Sequence, residues 1–489
     1  MSTVATPAPK RPRAGAKFGK LDTPARLRFW LAATWASAAL FAGAGFVGVR
    51  AHREGMQNLG RDSAPSIIAA QRVKAELAAM HAAAARELLS VRPEQRAAAV
   101  REYENRRRAV TDALLTAAGN ITYGDAERVP IRTMLEGLGP YEGALAQARL
   151  LHTRNDAGFV DPLRRADALL TDTMLPAADA LDRANQEALD AGYSVARGAD
   201  TRGWVWLAVS GAAALAALVG TQLFLARKTR RLMNPALVLA TAAVLFGLYS
   251  LGSGYAAADR QLRRAKDDCF ESIGVLTRAR ADGYEMLAAE RLALLDPNRA
   301  EEYATRFRFR RNRLLTPPQV DTLDGLMAKV IAQQLPPGAV RAGDEEAVAR
   351  AWGELARKEL PSAVGGHLAV ELRNVTFAGE REAAVDTLRG FVAFLSADAR
   401  VNDLSAAGTR DDALALALDD RPDGPARGFR TFDEHLGRTT NINHTEFDKA
   451  VDRGFAAVAD REWIAVALGA GVWLLALIGL RPRFREYAD

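Results

Sequence analysis

Six histidines and one cysteine limit the chemistry open to this 489-residue chain, which carries far more arginine and lysine than either. The stretch HTEFDKAVD sets His444, Glu446 and Asp448 at alternate positions. On a helix that spacing turns the three side chains to different faces, and no second histidine stands at a useful distance for a metal. His367 and His435 are equally solitary. Cys269 alone excludes an intrachain disulfide and a cysteine-based zinc site, so its expected role is a small buried hydrophobe. Phosphate-loop and kinase signatures are missing. No catalytic residue, metal site or cofactor is predicted, and the chain reads as a non-enzyme.

Ligand binding is better motivated. Ile273, Leu276, Arg280, Gly283, Leu287 and Leu294 follow a core-like helical spacing, which aims the Arg280 stem into a bundle beside a glycine. A guanidinium placed there can grip a carboxylate with two hydrogen bonds; the structural alternative is that it snorkels or pairs with Glu290 or another acid. The arginine-rich stretches Arg106 to Arg108 and Arg306 to Arg311 read mainly as solvated helix faces, some able to meet an acidic partner. Asn185 and Asn443 read as buried polar spacers between helices.

These residues need elements to hold them, and the elements begin with the membrane. Residues 29–49, 204–226, 236–254 and 463–480 are apolar and long enough to span a hydrocarbon layer roughly 30 Å thick. Hydrophobic residues are 49% of the chain, too many for disorder and too few for a transporter embedded over most of its length. The net charge of +6 is not a nucleic-acid signature, because its basic residues collar the spans: before the first, between the second and third, and after the fourth. Both termini are therefore expected in the cytoplasm of a multi-pass cell-membrane protein. The segments assigned inside are a disordered basic tail at 1–28, a basic loop at 227–235 and a tail at 481–489. Residues 50–203 and 255–462 are assigned outside. A cleaved signal peptide ending near Ala42-Gly43-Ala44 is the alternative for the first span, and it leaves three spans.

Apolar periodicity makes both external segments helical, and the fold class is all-α, with a four-helix bundle in 50–203 and a helical domain in 255–462. The two segments resemble each other in order. AAAARELLSVRPEQ pairs with MLAAERLALLDPNR, REYENRRR with EEYATRFR, and NITYGDAER with NVTFAGER. The last pair aligns Asn120, Thr122, Tyr123, Glu127 and Arg128 with Asn374, Thr376, Phe377, Glu380 and Arg381. Each set reads as the turn from a second helix to a third, near the bilayer, and an internal duplication follows from the shared order. Thr122 and Asp125 fit a capping box there, which accounts for the asparagines without N-glycosylation. The second copy is longer by an insertion near 309–362, expected as helices at Gln319–Gln334 and Asp344–Leu360.

HLAVELRNVTFAGEREAAVDTL, FRTFDEHLGRTTNINHTEF and the basic turn RKTRRLMNP resemble the actinobacterial GlnX-type four-span sensors, which accompany a glutamine-binding lipoprotein and the serine/threonine kinase called protein kinase G. The resemblance implies a receptor that senses an amino acid of the aspartate or glutamate type, directly or through a solute-binding lipoprotein outside, and signals to a kinase inside. It transfers no ligand residue. The competing class is a structural or accessory subunit, for example of an amino-acid importer; the spans lack the intramembrane charges of a transport path. Nothing in the sequence sets the oligomeric state.

Overall fold

The computed structural model describes residues 23–229, 234–316, 344–360, 364–421 and 423–485. Among them the chain is helical but for short connections and one isolated antiparallel bridge, Thr316 to Gly365. The helices are α1 (Thr23–Gln57), α2 (Ala64–Leu89), α3 (Pro93–Gly119), α4 (Asp125–Thr153), α5 (Val160–Ala168), α6 (Leu175–Thr229), α7 (Pro235–Arg263) and α8 (Glu271–Leu295). They continue with α9 (Ala300–Leu314), α10 (Glu345–Glu359), α11 (His367–Asn374), α12 (Glu380–Ala406), α13 (Arg410–Ala417), α14 (Pro425–Val458) and α15 (Arg461–Arg485). Single π turns at Asn58–Ser63, Leu169–Met174 and Arg264–Phe270 join α1 to α2, α5 to α6 and α7 to α8 without a break.

Four helical runs, Pro24–Leu89, Ala157–Arg227, Pro235–Leu295 and Pro425–Arg485, each contain a stretch long and apolar enough to cross a membrane. The protein is a multi-pass membrane protein. Three helices run past the expected span ends on the basic side, and at the C-termini of α6 and α15 the basic residues suit the helix dipole. Helix α1 starts at Thr23, inside the tail expected to be disordered, α6 continues to Thr229 and α15 to Arg485. The expected helix at Gln319–Gln334 lies outside the described residues, as do residues 1–22; the one expected at Asp344–Leu360 is α10.

The chain divides into two compact units. One comprises the described parts of Met1–Arg50, Thr201–Gly254 and Asp460–Asp489. Lipid offers no hydrophobic drive between helices, so close packing and interhelical hydrogen bonds must hold this unit together. Trp35 and Trp473 stack with centroids 4.7 Å apart, and each indole N–H donates to the other's backbone carbonyl, at 3.2 and 2.9 Å. Gly247 leaves room for Phe41 and Leu468.

The other unit comprises Ala51–Asp200 and Tyr255–Ala459. The two external segments, whose packing on each other the sequence leaves open, thus form one body, with α2 and α8 packed side by side at its centre. The alanine-rich sequence of α2 allows this: Ala78, Ala79 and Ala82 are buried with Leu276 and Met286 of α8, while Met80, Ala83 and Ala84 on the opposite side meet Tyr103, Met134 and Tyr141. Cys269 is fully buried, and burial pushes its thiol up, as expected of a structural cysteine.

Helices α12 and α14 cross at two glycines. A Cβ on Gly390 would sit 2.5 Å from the Phe432 backbone nitrogen, and one on Gly428 2.8 Å from that of Phe394. Backbone cannot yield as a side chain can. Gly390→Ala is therefore expected to cost about 3 kcal/mol, the upper end of overpacking penalties, whereas Gly137→Ala, which meets only the Met174 side chain at 2.8 Å, costs about 1 kcal/mol or less. Thermal unfolding of the two full-length variants side by side checks the ranking.

Candidate ligand cleft

Arg280 lies on α8 and does point across the bundle, and its acid is Asp433 of α14, not Glu290. Nε and Nη2 donate to Oδ1 and Oδ2 of Asp433 at 2.7 and 3.0 Å, a two-bond fork. Tyr284, one turn further along α8, donates its hydroxyl to Asp433 Oδ2 at 2.8 Å. Arg106 of α3 then bonds Tyr284 through Nη2 at 2.6 Å and Glu76 of α2 through Nη1 at 3.0 Å. Four helices meet in this relay of Glu76, Arg106, Tyr284, Asp433 and Arg280. Burial pulls the Arg280 guanidinium down, but the charge and hydrogen bonds of Asp433 raise it above its ordinary value, so it stays a cation. Burial pushes the Tyr284 hydroxyl up, so it stays a donor.

Glu76, Arg280 and Asp433 of the relay line a cleft of about 1050 Å³ between α2, α8 and α14, and Arg106 and Tyr284 stand behind them. Arg72, Arg438 and Lys449 add positive charge to it, and Glu434 and Glu446 add negative. Lys449 is paired with Glu446 at 2.7 Å. Arg72 and Arg438 are exposed and form no ion pair among the described residues, which leaves two guanidinium groups for an incoming anion. His444 also lines the cleft, and burial lowers its imidazole, so it is neutral at pH 7. It is not part of a metal cluster, none of which occurs among the described residues. Fixed charges of both signs beside an apolar floor suit recognition of a zwitterion; no nucleophile and base stand together here.

Arg106 and Arg306, read from sequence as solvated, are instead inserted between the two segments of the unit. Arg306 of α9 donates to both oxygens of Asp167 on α5, Nη1 at 2.6 Å and Nη2 at 2.9 Å. His81 of α2 reaches the same carboxylate through Nε2 at 3.2 Å and the Tyr141 hydroxyl through Nδ1 at 3.0 Å. Burial pushes Asp167 up, but the hydrogen bonds and charges of Arg306 and His81 reverse this and hold it below the usual carboxylate range. The rest of these arginine runs is mixed: Arg108 and Arg308 are exposed, while Arg310 pairs with the fully buried Asp282 at 2.9 Å. Asp282 also takes His367, at 3.1 Å.

The two aligned turns have the same hydrogen bonds. Glu127 Oε2 accepts from the Thr122 and Tyr123 backbone N–H groups at 2.7 and 2.6 Å, and Glu380 Oε2 from those of Thr376 and Phe377 at 2.7 and 2.9 Å. The hydroxyls of Thr122 and Thr376 donate back to the carbonyls of Asn120 and Asn374. The capping carboxylate is thus Glu127, not Asp125, which pairs with Arg128 at 2.9 Å. A glycine at positive φ, Gly124 at 67° and Gly379 at 76°, lets the chain double back so that the glutamate can reach. In the second turn Asn443 donates to Glu380 Oε1 at 2.6 Å, Asn374 donates to Ser272, and the Arg381 guanidinium lies 5.3 Å over the Trp352 ring. Tyr123 is half-exposed with its hydroxyl 3.3 Å from Ser63, whereas Phe377 is buried. Of the second turn only Ala378 lines the cleft; Asn374, Thr376, Phe377, Glu380 and Arg381 do not.

Residues 55–194 match the protein-family model described as an actinobacterial sensor domain. The matched stretch runs from the last turn of α1 into α6 and includes Arg72, Glu76 and Arg106; Arg280, Tyr284 and Asp433 lie beyond it. The match indicates a signalling role in general, in a family named for sensing and not for catalysis. No curated protein and no solved structure matches the chain.

Asp433, Arg106 and Tyr284 were not marked as site residues by the sequence. The available signal was indirect. Asp433 stands in the quoted FRTFDEHLGR stretch, and Arg106 occupies a position aligned between the two segments, which a merely solvated residue does not require.

Proposed function

We propose that this protein is a membrane receptor whose large helical unit faces the outside and takes an acidic amino acid, of the aspartate or glutamate type, in the cleft at Arg280. The amino acid arrives free or on a solute-binding lipoprotein, and the signal passes to a cytosolic serine/threonine kinase. The observation that carries this reading is how the cleft walls connect to the candidate spans: α2 and α8 continue α1 and α7 through single π turns, and α14 leads into α15 across a tight turn at Ala459 and Asp460. A ligand that draws Arg72, Arg438 and the Arg280–Asp433 pair together favours one arrangement of these helices over another, and a small shift is all a receptor needs.

The orientation rests on the basic collars of the spans. An internal duplication, supported by the equal hydrogen bonding of the Asn120 and Asn374 turns, explains why two segments could pair α2 with α8 at the centre. Calorimetric titration of the full chain in lipid nanodiscs tests the reading. Saturable heat is expected from L-aspartate or L-glutamate, or from the loaded lipoprotein, and none from L-leucine. Silence with all of the acidic amino acids and the lipoprotein overturns it.

A further inference from the structure

A second cavity, separate from the cleft and of about 640 Å³, lies between α8, α9 and α12. Its walls are largely apolar, with Phe307, Phe391, Leu395 and the Tyr303 ring among them. Two carboxyl groups belong to the same lining: Glu290 of α8, 6% exposed, and Asp398 of α12, 5% exposed. Asp398 accepts one hydrogen bond, from the Asn402 amide at 3.0 Å. Glu290 Oε1 is buried and has no hydrogen-bond partner among the described residues. An acid so placed ordinarily has an explanation in something it is there to hold.

The cations nearby offset the pair only through space, not by a direct bond among the described residues. Arg291 is buried, yet its Nη1 donates to the Ala82 carbonyl at 2.7 Å. Arg308 and Arg311, which line the cavity, are engaged by Glu301 at 2.7 Å and by the Asn312 amide oxygen at 3.2 Å. The Arg291 and Arg311 charges act on Glu290 and Asp398 through space, but among the described residues neither arginine bonds them, and two buried carboxyl groups under aromatic walls match a positively charged guest.

We propose that this cavity is a binding site for an organic amine with an apolar body, its ammonium on Glu290 and Asp398 and its hydrocarbon part against Phe307 and Phe391. This site is independent of the Arg280 cleft and survives if that cleft binds nothing. Titration supports it from another direction. Burial pushes Asp398 up to about 7 and Glu290 well above the carboxylate range, the Asp398 charge adding to the latter. The groups facing the pair are Arg291 from α8, Tyr303 and Arg311 from α9, and Asn402 and Asp403 from α12. A bound ammonium favours the ionised form, so binding releases protons and tightens as pH rises.

The test is titration of the full chain in nanodiscs with phenethylamine, with 3-phenylpropionate and 2-phenylethanol as counter-probes. The amine is expected to bind about tenfold or more tightly than either, and to gain about tenfold between pH 6 and pH 8. Glu290→Gln and Asp398→Asn, which remove buried charge at constant shape, are each expected to weaken the amine about tenfold. Phe307→Trp, which fills the cavity without touching the charges, blocks it. L-Aspartate titration of the same variants should match the parent protein. Equal affinity for amine and alcohol, preference for the acid, no saturable amine binding, or unchanged affinity in Glu290→Gln and Asp398→Asn overturns the assignment.

Discussion

Replacing Arg306 with alanine is expected to destabilise the large helical unit by about 3 kcal/mol, the low end of what breaking a buried ion pair costs. Asp167 has only 9% of its side chain exposed and Arg306 has 29%, so the carboxylate left behind remains in a poorly solvated place. His81 alone then offsets its burial, with the Tyr141 and Tyr303 hydroxyls nearby carrying no positive charge. The sign of the pH dependence follows. In the parent protein Asp167 is held low, so its contribution is present above the ordinary aspartate value near pH 4 and disappears as pH falls below it. In the variant burial dominates and the carboxyl moves up, so the penalty is full at neutral and alkaline pH and shrinks toward about pH 4, where the group can protonate. Thermal midpoints at pH 7.5 and pH 4.5 read this directly. Adding Asp167→Asn to Arg306→Ala is expected to recover part of the loss at pH 7.5 and almost none at pH 4.5; a pH-independent penalty contradicts the assignment.

The second large effect concerns the cleft. Arg280→Ala is expected to weaken acidic amino-acid binding about 100-fold, close to 2.7 kcal/mol, because it removes one cation and releases Asp433 to repel the ligand. Arg280→Lys keeps the charge but cannot make the two parallel bonds to Asp433, and so recovers only part of the affinity. Arg72→Ala and Arg438→Ala distinguish binding from scaffolding. These exposed residues have no ion partner among the described residues, so each is expected to weaken binding about tenfold while leaving the thermal midpoint of the unliganded protein unchanged. Calorimetric titration beside thermal unfolding separates the two outcomes. If Arg72→Ala and Arg438→Ala bind as the parent does, the ligand is not held where the cleft places it.

What could be read from sequence was local. Four apolar runs, a helical period of 3.6 and the aligned NITYGDAER and NVTFAGER stretches define the spans, the helices and the two turns, because each depends on residues a few positions apart. Even there one residue changed. The periodic signal cannot tell which of Asp125 and Glu127 reaches back to the Thr122 N–H, since that depends on how far Gly124 turns the chain. Long-range pairing was not legible. Arg306 and Asp167 stand 139 residues apart, Arg280 and Asp433 153, and no local pattern links them. Charged residues at helical spacing look alike whether they face water or the next helix, which is why Arg106 and Arg306 read as solvated. The spacing of Arg280 with Leu276, Gly283 and Leu287 did put it among buried neighbours, and its pairing with an acid was one of the alternatives, though not which acid.

Hydrogen–deuterium exchange of the full-length protein in nanodiscs, with and without millimolar L-aspartate, tests the central claim most directly, since it reports where the ligand acts without assuming a site. The account predicts slower exchange in peptides covering 68–76 of α2, 277–284 of α8 and 433–449 of α14, and loss of that protection in Arg280→Ala. Protection confined to other helices, or unchanged exchange at ligand concentrations that saturate the heat signal, would contradict it.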